Sequence, residues 1–107
     1  MTDLEITKLC AEAMGLLVGE SGYALLGHME NHPYDPLHDD AQAMALVRKF
    51  GLCVRRIFDE QKNELSGPWR AYYGGETYIE SQHAEHADLN RAICECVAKM
   101  QLAKAKP

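Results

Sequence analysis

The stretch Leu52-Cys53-Val54-Arg55-Arg56-Ile57-Phe58-Asp59 decides the fold. Its mixed, β-branched composition reads as a strand, with Leu52, Val54 and Phe58 on one face and Cys53 and Ile57 on the other. Apolar residues on both faces imply cover on both sides. After it, a polar turn over residues 60–68 leads to Trp69-Arg70-Ala71-Tyr72-Tyr73, then Gly74-Gly75, then Thr77-Tyr78-Ile79-Glu80-Ser81. Paired glycines between two aromatic runs read as a tight hairpin, because such turns need the positive φ that glycine adopts without penalty.

Helical patterns stand on either side of these strands. Ala43, Met44, Leu46, Val47 and Phe50 give one helix its apolar side; Asp39 or Asp40 caps its start, Gly51 stops it, and Arg48 and Lys49 suit its negative end. Further upstream, Thr2-Asp3-Leu4-Glu5 has the form of a capping box. Ile6, Leu9, Cys10, Ala13, Leu16 and Leu17 then recur at helical spacing until Gly19 and Gly22. Between these helices, residues 23–29 form a brief strand, and residues 31–40, stiffened by Pro33 and Pro36, form an extended loop. A last helix is expected from about His83 to Lys104, with Leu89, Ala92, Ile93, Cys96, Val97 and Met100 on one stripe. The resulting class is α+β: a small three-layer α/β/α sandwich, a short antiparallel sheet flanked by helices, in a single domain over residues 1–107.

With 11 Lys+Arg against 16 Asp+Glu, the net charge of −5 argues against a general nucleic-acid binder, which needs a cationic surface. No apolar run approaches the roughly 20 residues that cross a bilayer, and Met1-Thr2-Asp3-Leu4-Glu5 lacks a basic secretory start, so a cytoplasmic protein without membrane association is expected. The four cysteines, Cys10, Cys53, Cys94 and Cys96, lack C-x-x-C spacing and read as reduced small hydrophobes. On a helix Cys94 and Cys96 point about 200° apart, so at most one of them is expected to face the core.

The run Tyr34-Asp35-Pro36-Leu37-His38-Asp39-Asp40-Ala41-Gln42-Ala43-Met44-Ala45-Leu46-Val47 resembles the small tailed-phage and prophage proteins of the phage ABA sandwich domain family. In that family an aromatic, Asn or Asp, Pro, Leu stretch runs into a helix carrying Asp-x-x-Ala-x-x-Leu. The N-terminal helix, the strands after Gly51 and the closing helix with Leu89-Asn90-Arg91-Ala92-Ile93 stand in the order such proteins show. Tyr34 replaces the commoner Trp and Asp35 the commoner Asn, and residues 19–32 have no counterpart. The resemblance implies a phage or prophage accessory protein with an α/β/α fold, and it brings no catalytic residue.

Three constellations carry chemical meaning. The first is His28-x-x-x-His32 with His38, and His83-x-x-His86 at ligand spacing on a helix start; these offer imidazoles to zinc or nickel, yet solvated histidines are the plainer reading, and no metal is assigned. The second is Asp35, Asp39 and Asp40 beside His38, which suit Mg²⁺ or acid-base work but are explained more cheaply by capping and an Asp-Pro turn, with Tyr34 and Leu37 pinning the loop to the core. The third and most suggestive is Arg55, Arg56 and Arg70 with Trp69, Tyr72, Tyr73 and Tyr78, which can stack on a base, clamp a phosphate or anchor a protein interface. By strand alternation at least half of that set is expected to pack inward or form cross-strand pairs.

No phosphate-binding loop, dinucleotide fingerprint, nucleophile elbow or H-E-x-x-H is present, so the chain reads as a non-enzyme without a cofactor. The expected function is binding, most directly occlusion of a bacterial host protein, including a defence component. The alternative is sequestration of a small molecule or nucleotide signal by the strand arginines and aromatics; a metal-dependent hydrolase built on His28, His32, His38 and Asp39 ranks last. A sheet edge left uncovered would favour a homodimer.

Overall fold

A computed structural model describes residues 1–18, 23–26, 29–73 and 83–105. The order is α1 (Asp3–Ala13), β1 (Leu17–Val18), β2 (Tyr23–Leu26), β3 (Met29–Pro33), α2 (Asp40–Phe50), β4 (Leu52–Arg56), β5 (Trp69–Tyr73), β6 (His83–His86) and α3 (Leu89–Ala105). The fold is α+β, as the sequence implies, with three helices and two three-stranded antiparallel sheets; the described helices pack on one face of the β4–β6 sheet, where a three-layer α/β/α sandwich has them on both.

Each helix is bounded by local chemistry. At α1, Thr2 accepts from the Glu5 amide at 3.1 Å and donates its hydroxyl to the Glu5 carboxylate at 3.2 Å. The helix stops at Ala13, short of the expected Leu17, because Gly15 enters the left-handed region at φ +74° and Leu17 joins β1. At α2, Asp39 accepts from the Gln42 amide at 3.0 Å, and Gly51 closes the helix at φ +63° by donating to the Val47 carbonyl. At α3 the start is Asp88, whose carboxylate and carbonyl accept from the amides of Arg91 (3.0 Å) and Ala92 (3.1 Å).

The helix expected from His83 therefore begins six residues later, and His83–His86 is a strand. Nothing in His83-Ala84-Glu85-His86 favours a strand intrinsically; pairing with β5 imposes it. Where one brief strand running into a loop is expected, residues 23–26 and 29–33 form β2 and β3, which pair antiparallel with Tyr23 opposite Pro33 and Ala24 opposite His32. β1 extends that sheet, with Leu17 opposite Leu25. The strand expected over residues 52–59 ends at Arg56. Beyond it, the Ile57 and Gly67 amides bond the carbonyls of Pro68 and Ile57 at 2.9 Å each, and Asp59 caps the turn by accepting from the amides of Gln61 and Lys62. Gly67 is required there, since a Cβ would stand 2.7 Å from the Ile57 oxygen. The hairpin expected at Gly74-Gly75 and the strand over residues 77–81 lie outside the described residues.

The second sheet runs β4-β5-β6, with Val54 opposite Ala71 and Ala71 opposite Ala84. One face packs against α3 over β5 and β6, with α2 beside β4, while α1 packs on α3. Because α3 lies between the sheet and α1, it is buried over a wide arc: Ala92, Ile93, Cys94, Cys96, Val97 and Ala98 are all inaccessible or nearly so. Both Cys94 and Cys96 are thus in the core, contrary to the expectation that only one faces it; a helix covered on two sides has two apolar stripes. The Cys10 thiol of α1 donates to the Cys94 carbonyl at 3.4 Å across that contact. Polar clasps hold the helix starts together, with Arg91 bonding Asp3 at 2.6 Å and Asn90 bonding Asp40 at 2.8 Å. The other face of β4, expected to be covered, carries the exposed side chains Cys53 and Arg55. Phe58 and Met44, read as inward, are exposed at 45% and 39%.

Candidate functional site

Alternation along three short strands builds the open face of the second sheet. The pairing aligns Cys53, Tyr72 and His83 in one cross-strand row and Arg55, Arg70 and Glu85 in the next. Arg70 Nε donates to Glu85 Oε1 at 2.8 Å, so its charge is balanced on the face itself. Arg55 is exposed and, among the described residues, forms no ion pair. Like charges directly opposite one another are unfavourable, so Glu85 in the third strand offsets the Arg55–Arg70 approach. Lys99 of α3 donates to the His83 carbonyl at 3.0 Å and fixes the β6 edge.

The strand cluster singled out by sequence is split by this geometry. Arg55, Arg70 and Tyr72 share the open face. Arg56, Trp69 and Tyr73 point the other way: Arg56 lies over the Trp69 ring at 5.5 Å and donates through Nε to the Gly67 carbonyl at 3.1 Å. That pair holds the turn to the sheet. Tyr73, 38% exposed, stands at the margin near Lys49, Phe50 and Lys104. Tyr78 lies outside the described residues. A single clamp made of three arginines and four aromatics is therefore not what the register produces. Cys53, His83 and Glu85 join the open face without having been singled out for it; their parity on each strand was the available signal, but it needed the pairing register to be used.

The loop from Tyr34 to Asp40 is engaged throughout. The Asp35 amide donates to Gln42 Oε1 at 2.6 Å, the Asp35 carbonyl accepts from the His38 amide at 3.0 Å, and the Asp35 carboxylate meets His38 Nδ1 at 2.9 Å. Pro36 and Leu37 are buried, Asp39 caps α2 and Asp40 accepts from Asn90. Tyr34 is buried with its hydroxyl unpartnered among the described residues. Burial, then the neighbouring Cys10 and Cys94, push its phenol well above the usual range.

The buried thiols are also held protonated. Hydrogen bonding with Cys10 and then burial raise Cys94 strongly, and burial pushes Cys96 up to about 11. Neither presents the thiolate that nucleophilic or metal chemistry requires. His83 and His86 sit three apart on a strand and so face opposite sides, which undoes the helical ligand spacing expected of them. His28 lies outside the described residues, His32 is in β3, and among the described residues no three His, Cys, Asp or Glu side chains gather as a metal site. No helix among those residues is long and apolar enough to cross a membrane.

Comparisons of the chain with protein-family models, with curated proteins and with solved structures find no match. The open face and the loop are therefore read from their own chemistry.

Proposed function

We propose that this chain is a phage or prophage accessory protein that acts by binding a host protein through the open face of β4–β6. A solvated face is ordinary for an antiparallel sheet, so exposure alone says little. The supporting observation is Arg55, an exposed guanidinium with no carboxylate partner among the described residues, one row from Tyr72. Arginine and tyrosine are residue types enriched where interfaces concentrate their energy. The partner this chemistry fits is a protein surface offering a carboxylate to Arg55 and an apolar rim to Tyr72. Host origin, and the extension to a defence component, rest on the resemblance carried by the run from Tyr34 to Val47.

The test is native mass spectrometry of tagged protein isolated gently from a permissive bacterial host, run beside the Arg55→Glu and Tyr72→Ala variants. The expected result is one discrete host-protein mass on the unaltered chain that both variants lose. Recovery of a bare chain or bare homodimer from every permissive host, or a partner that the variants keep, overturns the assignment.

A further inference from the structure

We propose that the cleft where the C-terminal ends of α2 and α3 meet the end of β5 binds a small organic anion with a flat apolar body, an aromatic phosphate ester or carboxylate. The cleft is about 320 Å³ and is lined by Lys49, Phe50, Tyr73, Met100 and Lys104. It lies off the open sheet face, since Tyr73 belongs to the opposite side of β5 from Tyr72, and the inference is independent of the function proposed above.

The geometry places two cations around one aromatic ring at the cleft. Lys49 Nζ is 5.7 Å and Lys104 Nζ 5.9 Å from the centroid of the Phe50 ring, so the two ammonium groups are no more than about 12 Å apart. Both side chains are exposed, and neither forms an ion pair among the described residues. Met100 is buried, Phe50 is half-buried and Tyr73 stands at the rim, which gives a ring two aromatic walls and a polarisable thioether to lie against.

Cations at helix C-termini have an ordinary explanation, because each helix ends with the equivalent of about half a negative charge. Magnitude separates the two readings. Two converging helix ends call for about one positive charge, whereas Arg48, Lys49 and Lys104 all sit in those last turns. The surplus is a local positive focus on a chain whose net charge is −5. An anion that meets these ammonium groups exchanges long cation–π contacts for charge-assisted hydrogen bonds, while its ring covers Phe50 and Met100. The volume is at the small end of ligand sites, which run from roughly 300 to 1,000 Å³, and suits a single ring system with one anionic group.

The experiment titrates the full chain with adenosine monophosphate, with indole-3-carboxylate and with inorganic phosphate, by calorimetry and by amide NMR. The Lys49→Gln and Lys104→Gln variants are run beside Lys62→Gln, an exposed cation in the β4–β5 turn at the other end of the sheet, as a distant control. Binding of at least one aromatic anion is expected, with shifts centred on the amides of Phe50, Tyr73 and Lys104. Either lysine variant should weaken it by about tenfold or more, and Lys62→Gln should leave it unchanged. Preference for the nucleotide would assign a phosphate ester and preference for the indole acid a carboxylate, both in support. Absence of binding by either aromatic probe at millimolar concentration overturns the proposal. So does equal affinity in the double lysine variant, or inorganic phosphate binding as tightly as the aromatic anions, which would reduce the cleft to a counterion site.

Discussion

The two faces of the β4–β5–β6 sheet are built on the same strands and obey different rules. Toward α3 the sheet presents Ala71 and Ala84, side chains so small that the helix can settle closely onto the backbone, with Leu52 and Val54 beside them. Toward solvent it presents Arg55, Arg70, Tyr72 and Glu85, large groups whose positions are set by charge and pairing. The inner face is constrained by volume, because packed interiors do not yield. The outer face is constrained mainly by electrostatics in water, where each pair contributes little to stability and much to partner choice.

The sharpest way to break this contrast is from the helix that covers the inner face. Ile93 is fully buried on α3, and Ile93→Ala should cost about 2–5 kcal/mol, read as a lower urea midpoint at unchanged slope. Enlarging the other side of the same contact comes next. Ala84→Leu should cost about 1–3 kcal/mol by forcing α3 away, while Cys53→Leu, on the open face, should stay within about 0.5 kcal/mol. Equal losses in both variants would mean that the outer face is packed after all.

A pH titration probes the buried side without substitution. Cys96 has an ordinary value of 9.0 and is pushed up to about 11 by burial, and Cys94 is raised as well. A raised folded value means that the unfolded chain gives up its proton first. The thiols' contribution is therefore complete below about pH 9 and declines as pH climbs toward the folded values, by about 1.4 kcal/mol per pH unit per thiol. Urea midpoints measured from pH 8 to 10.5 should fall in step, and Cys96→Ala should remove its share of the slope. A flat profile would show that these thiols are not sequestered.

Much of the fold was legible because its signals are local. Thr2 with Glu5, Asp39 with Gly51, and the apolar spacing from Leu89 to Met100 each depend on a few neighbouring residues. What misled was continuity of pattern: Leu16 and Leu17 keep the helical period past Gly15, and residues 83–88 carry no strand-forming side chain, so both boundaries slid. Cys94 was misplaced because one helix was given one partner, whereas α3 has two. For the site, parity alone separates Arg55 from Arg56 and Tyr72 from Tyr73, so the split of the arginine and aromatic cluster was readable in advance. The row joining Arg55 to Arg70 and Glu85 was not, since it depends on a register that short strands do not encode by themselves. Neither was the Lys49–Lys104 cleft, which exists only once two helix ends are brought together.

The smallest effect is the most specific to the outer face. Glu85 and Arg70 are each about one-third exposed, so the ion pair itself should be worth no more than about 1 kcal/mol. Glu85→Gln does a second thing, however: it removes the carboxylate beside Arg70, which stands directly opposite Arg55. The loss of stability should therefore be larger at low ionic strength than at 1 M salt, where a screening length of about 3 Å suppresses the repulsion. Adding Arg55→Gln should recover most of it, giving a favourable coupling in the double-mutant cycle. If the Glu85→Gln loss is instead independent of salt and untouched by Arg55→Gln, Glu85 acts only as a local hydrogen-bond acceptor. Arg55 would then be a solvated bystander to its own row, and the reason for assigning it the contact with a partner carboxylate would weaken with it.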